Sequence, residues 1–254
     1  MIQSIVWITG RFMRRCGENR MKNKKDMDTQ TNQEEQFACD TSNRSFGTWV
    51  KALIVLFIGL AIAHLGVTLF LLSDLGTDTF TVFAQGLARK AGWSVGMMQM
   101  TTVCVLMVIM LFTTKGYVKP GTVVCAVCGG PIIDFFTMLL GGYINADSSM
   151  VLRVLSVVAG CVILALGMSI VINSNAGTGP NDLVAIILSD KINQVKKVEF
   201  RWVRMACDVV FVILGFLLGG TVGAGTIVAV FLTGPTVQFW LPKTKKIIRR
   251  IIAD

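Results

Sequence analysis

The sequence predicts an all-α, polytopic membrane protein with six transmembrane helices arranged as two inverted three-helix repeats. The chain of 254 residues is 53% hydrophobic and only 15% charged, a composition typical of proteins whose helices face lipid. It contains six apolar stretches, each close to the roughly 20 residues that a helix needs to cross a bilayer. A short Gly-Thr motif follows the first of these stretches and returns after the fourth.

The Gly-Thr motif marks an internal duplication. Residues 73–78 (Ser-Asp-Leu-Gly-Thr-Asp) recur 101 residues later as 174–179 (Ser-Asn-Ala-Gly-Thr-Gly), and the glycine-containing block 116–122 recurs 104 residues later as 220–226. Collinear blocks at nearly constant spacing are typical of a duplicated unit. Each half holds three spans, an odd number, so the second half must enter the membrane in the opposite sense.

The positive charges predict the orientation in the membrane. Of 24 Lys and Arg residues, 21 lie before the first span, in the loop 115–119, in the segment 191–204 or in the C-terminal tail. Only Arg89, Lys90 and Arg153 belong to the other side. By the positive-inside rule, both termini are expected in the cytoplasm. This distribution also accounts for the net charge of +9 without a nucleic-acid partner.

Residues 1–46 are expected to form a disordered cytoplasmic tail. After a short apolar run at 1–10, the segment 11–43 is charged and rich in amide side chains, a composition that does not fold alone. The charges follow the apolar run instead of preceding it, which argues against a cleaved signal peptide. A surface anchor is one alternative. A true start at Met21 or Met27 is another, so the sequence leaves open whether 1–26 belong to the protein.

The first membrane repeat is predicted at 47–142, with spans near 52–72, 95–114 and 121–141. Within the first span lies His64, the only histidine of the chain. A buried imidazole bonded to a neighbouring helix and a proton relay both remain open for it. The segment 79–91 is too short to cross and is expected to be a re-entrant or an interfacial helix.

The third span carries two features of a functional site. The sequence Gly129-Gly130-Pro131 is expected to break the helix at membrane depth, which is tolerated where protein or water satisfies the freed carbonyls. Asp134 follows one turn later without an evident local partner. A polar residue at membrane depth costs several kcal/mol unless it is paired, so Asp134 is a candidate site residue.

The second membrane repeat is predicted at 143–242, with spans near 150–172, 202–219 and 222–241. A short helix over 181–192 copies that of the first half, with Asp182 in its first turn, where the helix dipole favours a carboxylate. In the second repeat, Gln238 occupies the position that corresponds to Asp134, after Gly234-Pro235. Asp208 follows Arg204 by one helical turn, so it could form a local ion pair or a site.

Residues 243–254 are predicted to form a basic amphipathic helix. Lys and Arg alternate there with pairs of isoleucines. Such a helix suits the surface of a membrane with anionic lipid, or alternatively a partner protein.

Several chemistries are not expected. The seven cysteines are odd in number and five lie in spans, so they do not form a disulfide framework, and Cys125-x-x-Cys128 is interpreted as helix packing. One histidine in a span leaves no zinc site and no Ser–His–Asp arrangement. We therefore expect no metal, no cofactor and no enzymatic activity.

Five motifs give the chain a resemblance to the YitT/YczE-type bacterial membrane proteins. They cover about 50–242 and read Asp-Leu-Gly-Thr-Asp at 74–78 with Gln-Gly-Leu at 85–87, Gly-Gly-Pro-Ile-Ile-Asp at 129–134, Gly-Thr-Gly-Pro-Asn-Asp at 177–182, Gly-Gly-Thr-Val-Gly-Ala-Gly-Thr at 219–226, and Gly-Pro-Thr-Val-Gln at 234–238. The resemblance implies a polytopic topology and leaves the substrate open. The chain departs from many relatives at Thr79 and Thr81, where they carry Pro and Asp as this chain does at Pro180 and Asp182.

The leading functional hypothesis is a transporter or exporter of a small solute in the lipid bilayer of a bacterial cytoplasmic membrane. A homodimer is one form that the sequence leaves open. Inverted repeats interrupted at matching places by Gly and Pro are typical of transporters. The helix N-termini near 77–79 and 178–180 would suit an anionic solute. Expected substrate contacts are Gly76, Thr77, Asp134, Gly177, Thr178, Asp182 and Gln238; expected proton or ion-coupling residues are His64 and Asp208. The alternative is a non-transporting scaffold or regulator that acts through the two cytoplasmic tails.

Overall fold

A computed structural model describes residues 45–113, 119–145, 147–177, 179–193 and 200–253. The regular elements within these ranges are all α-helices, which confirms the all-α fold class. They are α1 (Phe46–Ser73), α2 (Thr79–Ala91), α3 (Val95–Thr113), α4 (Pro120–Leu140), α5 (Met150–Ser174), α6 (Pro180–Asn193), α7 (Phe200–Leu217) and α8 (Ala224–Ala253). The tail predicted to be disordered lies almost wholly outside the described residues.

Five of the described helices are long and apolar enough to cross a membrane, namely α1, α3, α4, α5 and α8. They carry large apolar side chains on their outer faces, such as Phe112 and Met138, as expected for helices that face lipid. The fifth predicted span, near 202–219, forms α7, an 18-residue helix that contains Arg201, Arg204 and Asp208 and is not among those five. The six-span arrangement therefore remains a prediction.

Helix α4 continues without interruption through Pro131, so the predicted break at Gly129-Gly130-Pro131 is wrong. Proline removes one N–H donor, and a helix can tolerate that loss. The two glycines serve close packing instead, because a Cβ at Gly130 would collide with the backbone of Gly96 on α3. Helix α8 likewise continues through Pro235 and Pro242, so the predicted boundary at 243 falls inside it.

Helices α1 and α5 form the centre of the molecule and cross through glycines. A Cβ on Gly66 would lie 2.7 Å from the carbonyl oxygen of Gly160, and one on Gly167 would lie 2.7 Å from that of Gly59. As α1 advances from Gly59 to Gly66, its partner positions on α5 fall from Gly167 to Gly160, so the two helices are antiparallel. Small residues at a crossing allow backbones to approach closely.

The two Gly-Thr motifs form the same turn. The residue after α1 is Asp74, with φ 51°, and the residue after α5 is Asn175, with φ 50°. Both adopt the left-handed conformation that Asp and Asn tolerate. In each turn the preceding serine hydroxyl donates to the helix, Ser73 to the Phe70 carbonyl and Ser174 to the Val171 carbonyl, both over 2.7 Å. The turn geometry is thus shared by both halves.

The last part of α8 packs on α5. The Asn173 amide donates to the Thr244 hydroxyl over 2.7 Å and to the Leu241 carbonyl over 3.0 Å. Thr244 and Ile248 are buried, whereas Ile247 and Ile251 are exposed. One face of the basic segment is therefore fixed to the helix bundle.

Candidate functional site

A small cavity of about 50 Å³ lies between α1, α3 and α4. His64 from α1 and Gln99 from α3 supply its polar side chains, and the small residues Gly129 and Gly130 of α4 form part of its wall. The backbone of Gly179, immediately before α6, closes another part. Its remaining lining is Leu60, Met100, Val103, Cys125 and Ala126.

The His64 ring has a defined orientation. Its Nδ1 lies 2.8 Å from the Leu60 carbonyl oxygen one turn earlier in α1. A carbonyl oxygen only accepts, so Nδ1 donates, and in the neutral ring the lone pair lies on Nε2. A Cβ added at Gly129 would lie 2.9 Å from Nε2. The glycine thus leaves room for the imidazole at the cavity wall.

Gln99 contributes a buried acceptor that has no hydrogen-bond partner in the described part of the chain. Its side chain is only 8% exposed, and its Oε1 has no hydrogen-bond partner among the described residues. Buried polar atoms are rarely left without a partner, because the loss costs about 1–3 kcal/mol. Sequence reasoning missed Gln99, although the argument that selected Asp134 and Gln238 applies equally to an amide near the start of an apolar helix.

Of the predicted site residues that the structure describes, only His64 lines this cavity. Gly76 and Thr77 are buried in the first turn, where Gly76 lies against Thr226 and Gly223 at the start of α8. Gly177 lies against Thr122 at the start of α4. These residues therefore pack the two halves together.

Asp134 binds the N-terminus of α3. Its carboxylate accepts hydrogen bonds from the Ser94 hydroxyl over 2.6 Å and from the Gly96 N–H over 3.0 Å. Orphan N–H groups at the start of a helix are commonly satisfied by such a carboxylate. Asp134 thus has partners that its sequence neighbours did not reveal.

Asp208 and Gln238 lie apart from the cavity lining. Asp208 on α7 accepts a hydrogen bond of 2.7 Å from the hydroxyl of Thr79, the first residue of α2. Gln238 is exposed on the outer face of α8. Thr178 and the side chain of Asp182 lie outside the described residues, and the Arg204–Asp208 pair stays a prediction.

Two arginines connect helix ends on one face of the bundle. Arg153 at the start of α5 donates to the Ser73 carbonyl over 2.6 Å at the end of α1. Arg89 at the end of α2 donates to the Gly219 carbonyl over 2.5 Å and to the Thr221 hydroxyl over 2.9 Å, both between α7 and α8. Both arginines come from the small positively charged set that the charge pattern assigns to the outer side.

Comparison with known proteins places the chain in a family. The model of the family of unknown function DUF6198 matches residues 50–242. The chain belongs to this family. The match covers the whole described bundle apart from its two ends, including both Gly-Thr turns and the His64–Gln99 cavity.

The relatives confirm the YczE-type resemblance. The chain is 25% identical to the uncharacterized membrane protein YczE of Bacillus subtilis (strain 168), over 78% of this chain and 88% of that protein. It is 26% identical to the uncharacterized protein YyaS of the same organism, over 73% and 90% of the two chains. An uncharacterized protein of Haemophilus influenzae is 25% identical over 75% and 84%. No solved structure matches the chain.

Proposed function

We propose that this membrane protein transports a small solute and that its two halves are inverted repeats. The observation that carries the proposal is a reciprocal exchange of hydrogen bonds between the halves. The Gly225 N–H at the start of α8 donates to the Leu75 carbonyl in the first turn over 2.7 Å, and the Gly121 N–H at the start of α4 donates to the Ala176 carbonyl in the second turn over 3.1 Å.

These four residues are related by the duplication itself. Leu75 corresponds to Ala176 at the 101-residue spacing, and Gly121 corresponds to Gly225 at the 104-residue spacing. Each half thus supplies a turn to the other half and receives a helix start from it. The glycines of the α1–α5 crossing are paired in the same reciprocal way: Gly66 contacts Gly160, and its equivalent Gly167 contacts Gly59. Such paired contacts are expected from an approximate two-fold axis, and antiparallel α1 and α5 require that axis to lie in the membrane plane.

The helix ends support a crossing by α7. Hydrogen bonds on one face of the bundle connect Asp74, Arg89, Arg153 and Thr221. In the other turn, Lys119 donates a hydrogen bond of 3.0 Å to the Asn175 side chain. The chain leaves the second turn through α6 and reaches Gly219 through α7. At 1.5 Å per residue α7 is about 27 Å long, close to the roughly 30 Å of the hydrocarbon core.

Transport is the function that this architecture supports best. In transporters with inverted repeats, sites form near the midplane beside interrupted or short helices. Here α2 and α6, of 13 and 14 residues, begin at the two turns, and the start of α6 adjoins the His64–Gln99 cavity. Polar side chains at membrane depth are typical of a substrate or ion pathway.

The test compares a strain that lacks the gene with its parent and then uses purified protein in liposomes. Metabolite profiling selects solutes whose distribution differs, and uptake or efflux of those solutes is measured in the liposomes. We expect His64→Ala and Gln99→Leu to reduce transport at least tenfold, while Gly47→Ala, at a position with open space around it, leaves it unchanged. Wild-type protein that moves none of the selected solutes would contradict the proposal.

A further inference from the structure

We propose that the end of α8, residues 243–253, binds the headgroup of an anionic phospholipid. The binding surface is a cationic face formed by Lys243, Lys246, Arg249 and Arg250. This role is separate from solute transport and does not depend on it. Three observations support it: the depth of the segment in the bilayer, the face that it leaves free, and the apolar side chains beside that face.

The length of α8 carries its end into the headgroup layer. The helix begins at Ala224, next to the Gly225 N–H that binds the first turn, and Lys243 lies 19 residues further on. At 1.5 Å per residue this distance is about 29 Å, close to the roughly 30 Å of the hydrocarbon core. Phe239 and Trp240 precede Lys243, whose Nζ lies 3.6 Å from the centre of the Phe239 ring. Aromatic side chains beside a lysine are typical of the membrane interface.

Contacts with the bundle fix the orientation of this segment. Thr244 and Ile248 are buried, and the Thr244 hydroxyl accepts a hydrogen bond from the Asn173 amide on α5. Further on, Ile252 packs against the cluster that contains Ala52 of α1. The end of α8 therefore continues along the bundle through the headgroup layer instead of turning onto the membrane surface.

The cationic face lies opposite the face that is fixed to the bundle. Successive residues of an α-helix are turned by about 100°, so the four basic side chains fall within about 120°. The centre of this range is opposite the middle of Thr244 and Ile248. All four basic side chains are exposed, and none forms an ion pair within the described part of the chain. Their charges are thus available to a phosphate, which both lysine and arginine bind well.

Two isoleucines extend the cationic face on one side. Ile247 and Ile251 are 60% and 49% exposed, and helical spacing places them between the basic side chains and the buried face. Basic and large apolar side chains side by side are typical of helices at the boundary between headgroups and acyl chains. A phospholipid provides both a negative charge and acyl chains, and basic clusters beside a transmembrane helix attract anionic headgroups in particular.

The chain itself contains another candidate for this face. Residues 26–43 include five Asp or Glu and no Lys or Arg, and they precede α1, whose first turns lie beside the end of α8. This segment supplies negative charge, whereas a lipid supplies negative charge together with acyl chains at the depth of the two isoleucines. The lipid is therefore the better match, and the experiment distinguishes the two.

Native mass spectrometry of the full-length protein in detergent tests the proposal. The protein is titrated with phosphatidylglycerol or with phosphatidylcholine of identical acyl chains, and the apparent Kd of the first bound lipid is measured. We expect phosphatidylglycerol to bind at least about fivefold more tightly, and Arg249→Gln with Arg250→Gln to abolish this preference. The control, Lys51→Gln with Lys90→Gln, removes two exposed lysines outside the cationic face and should keep it.

The variant Lys243→Gln with Lys246→Gln provides a second test and replaces the arginine variant if that one fails to fold. Equal affinities for the two lipids, or a preference that survives both variants of the cationic face, would overturn the proposal. A preference that appears only after Glu34→Gln with Glu35→Gln would assign the face to the acidic segment and would also overturn it. Transport is measured separately in liposomes, so none of these results decides the proposed function.

Discussion

The Asp134 carboxylate shows how one residue can satisfy a sequence criterion for function and still have a structural role. It accepts hydrogen bonds from Ser94 and Gly96 and so joins α4 to the start of α3. Its position one turn after Pro131 was visible in the sequence. Its partners were not, because they lie about 40 residues away and depend on how α3 and α4 pack.

Replacing Asp134 should separate the two roles. Asp134→Ala removes the cap and should lower stability by about 1 kcal/mol, within the 0.5–2 kcal/mol of helix caps. Asp134→Asn keeps an acceptor and should lose less. The measurement is the thermal unfolding midpoint in detergent, with Asp147→Ala in an exposed turn as the control. A role limited to substrate binding predicts the reverse, with lost transport and unchanged unfolding.

Asp78 gives a residue-scale prediction about pH. It lies between α1 and α2, where its side chain caps α2 by accepting from the Thr81 N–H. Burial raises the pKa of the Asp78 carboxyl above its usual value, although hydrogen bonds from Thr81 and Thr77 oppose the shift. Because the folded pKa exceeds the unfolded pKa, this carboxyl stabilises the fold most below the unfolded pKa, and that contribution is lost as pH rises through the folded pKa.

Asp78→Asn should therefore remove this pH dependence while keeping the cap, since Asn and Asp cap equally well. Relative to wild type, the variant should gain stability as pH rises from about 4 towards neutrality. Unfolding midpoints across this range measure the difference, and Asp147→Asn serves as the control. A difference that stays constant with pH, or that falls, would refute the assignment.

At the scale of the helices, the glycine crossing of α1 and α5 is the contact on which the packing depends most. Each methyl group added there meets backbone of the other helix, which cannot move aside as a side chain can. Gly66→Ala and Gly167→Ala should each destabilise the protein by about 1–3 kcal/mol. The two losses should be similar because the positions are equivalent.

The control for the crossing is Gly47→Ala in the first turn of α1, where a methyl group meets nothing within 4 Å. That change should be neutral or stabilising by up to about 1 kcal/mol, since alanine favours helix over glycine. Thermal unfolding in detergent distinguishes these signs. Equal effects at Gly47 and Gly66 would show that helix propensity, not the crossing, governs the response.

Arg153 connects two helices by binding carbonyl groups at the end of α1. Its Nε donates to Ser73 and its Nη2 to Asp74, and a cation at a helix C-terminus contributes about 0.3–2 kcal/mol. Arg153→Gln should lose stability in that range, whereas Lys246→Gln, at an exposed position before the last turn of α8, should not. Unfolding midpoints of the two variants provide the comparison, and equal midpoints would contradict this contribution.

Most helices were predictable from the sequence because length and apolar composition determine them. The short helices α2 and α6 were also predictable, because polar residues at their ends limit the length of each apolar segment. The continuity of α4 and α8 did not, since Pro131, Pro235 and Pro242 are common helix breakers whose effect depends on neighbouring contacts. The close approach of α3 to Gly130 is one such contact, and it involves residues far apart in the chain.

At the scale of the whole molecule, the duplication predicted which segments correspond but not how they meet. The sequence spacing relates Leu75 to Ala176, yet it contains no sign that each turn binds the other half. The candidate site depended on the same packing. His64 was identified because it is a lone histidine in a span, whereas Gln99 became significant only when α3 placed it beside the cavity.

The inverted orientation of the two halves is the central claim, and cysteine accessibility in intact cells tests it most directly. Gly92 after α2 and Asn193 at the end of α6 are equivalent positions separated by 101 residues. In a background without the native cysteines, Gly92→Cys should react with a membrane-impermeant maleimide added outside. Asn193→Cys should react only after the cells are permeabilised. Labelling of both positions from the same side would contradict the inverted repeat.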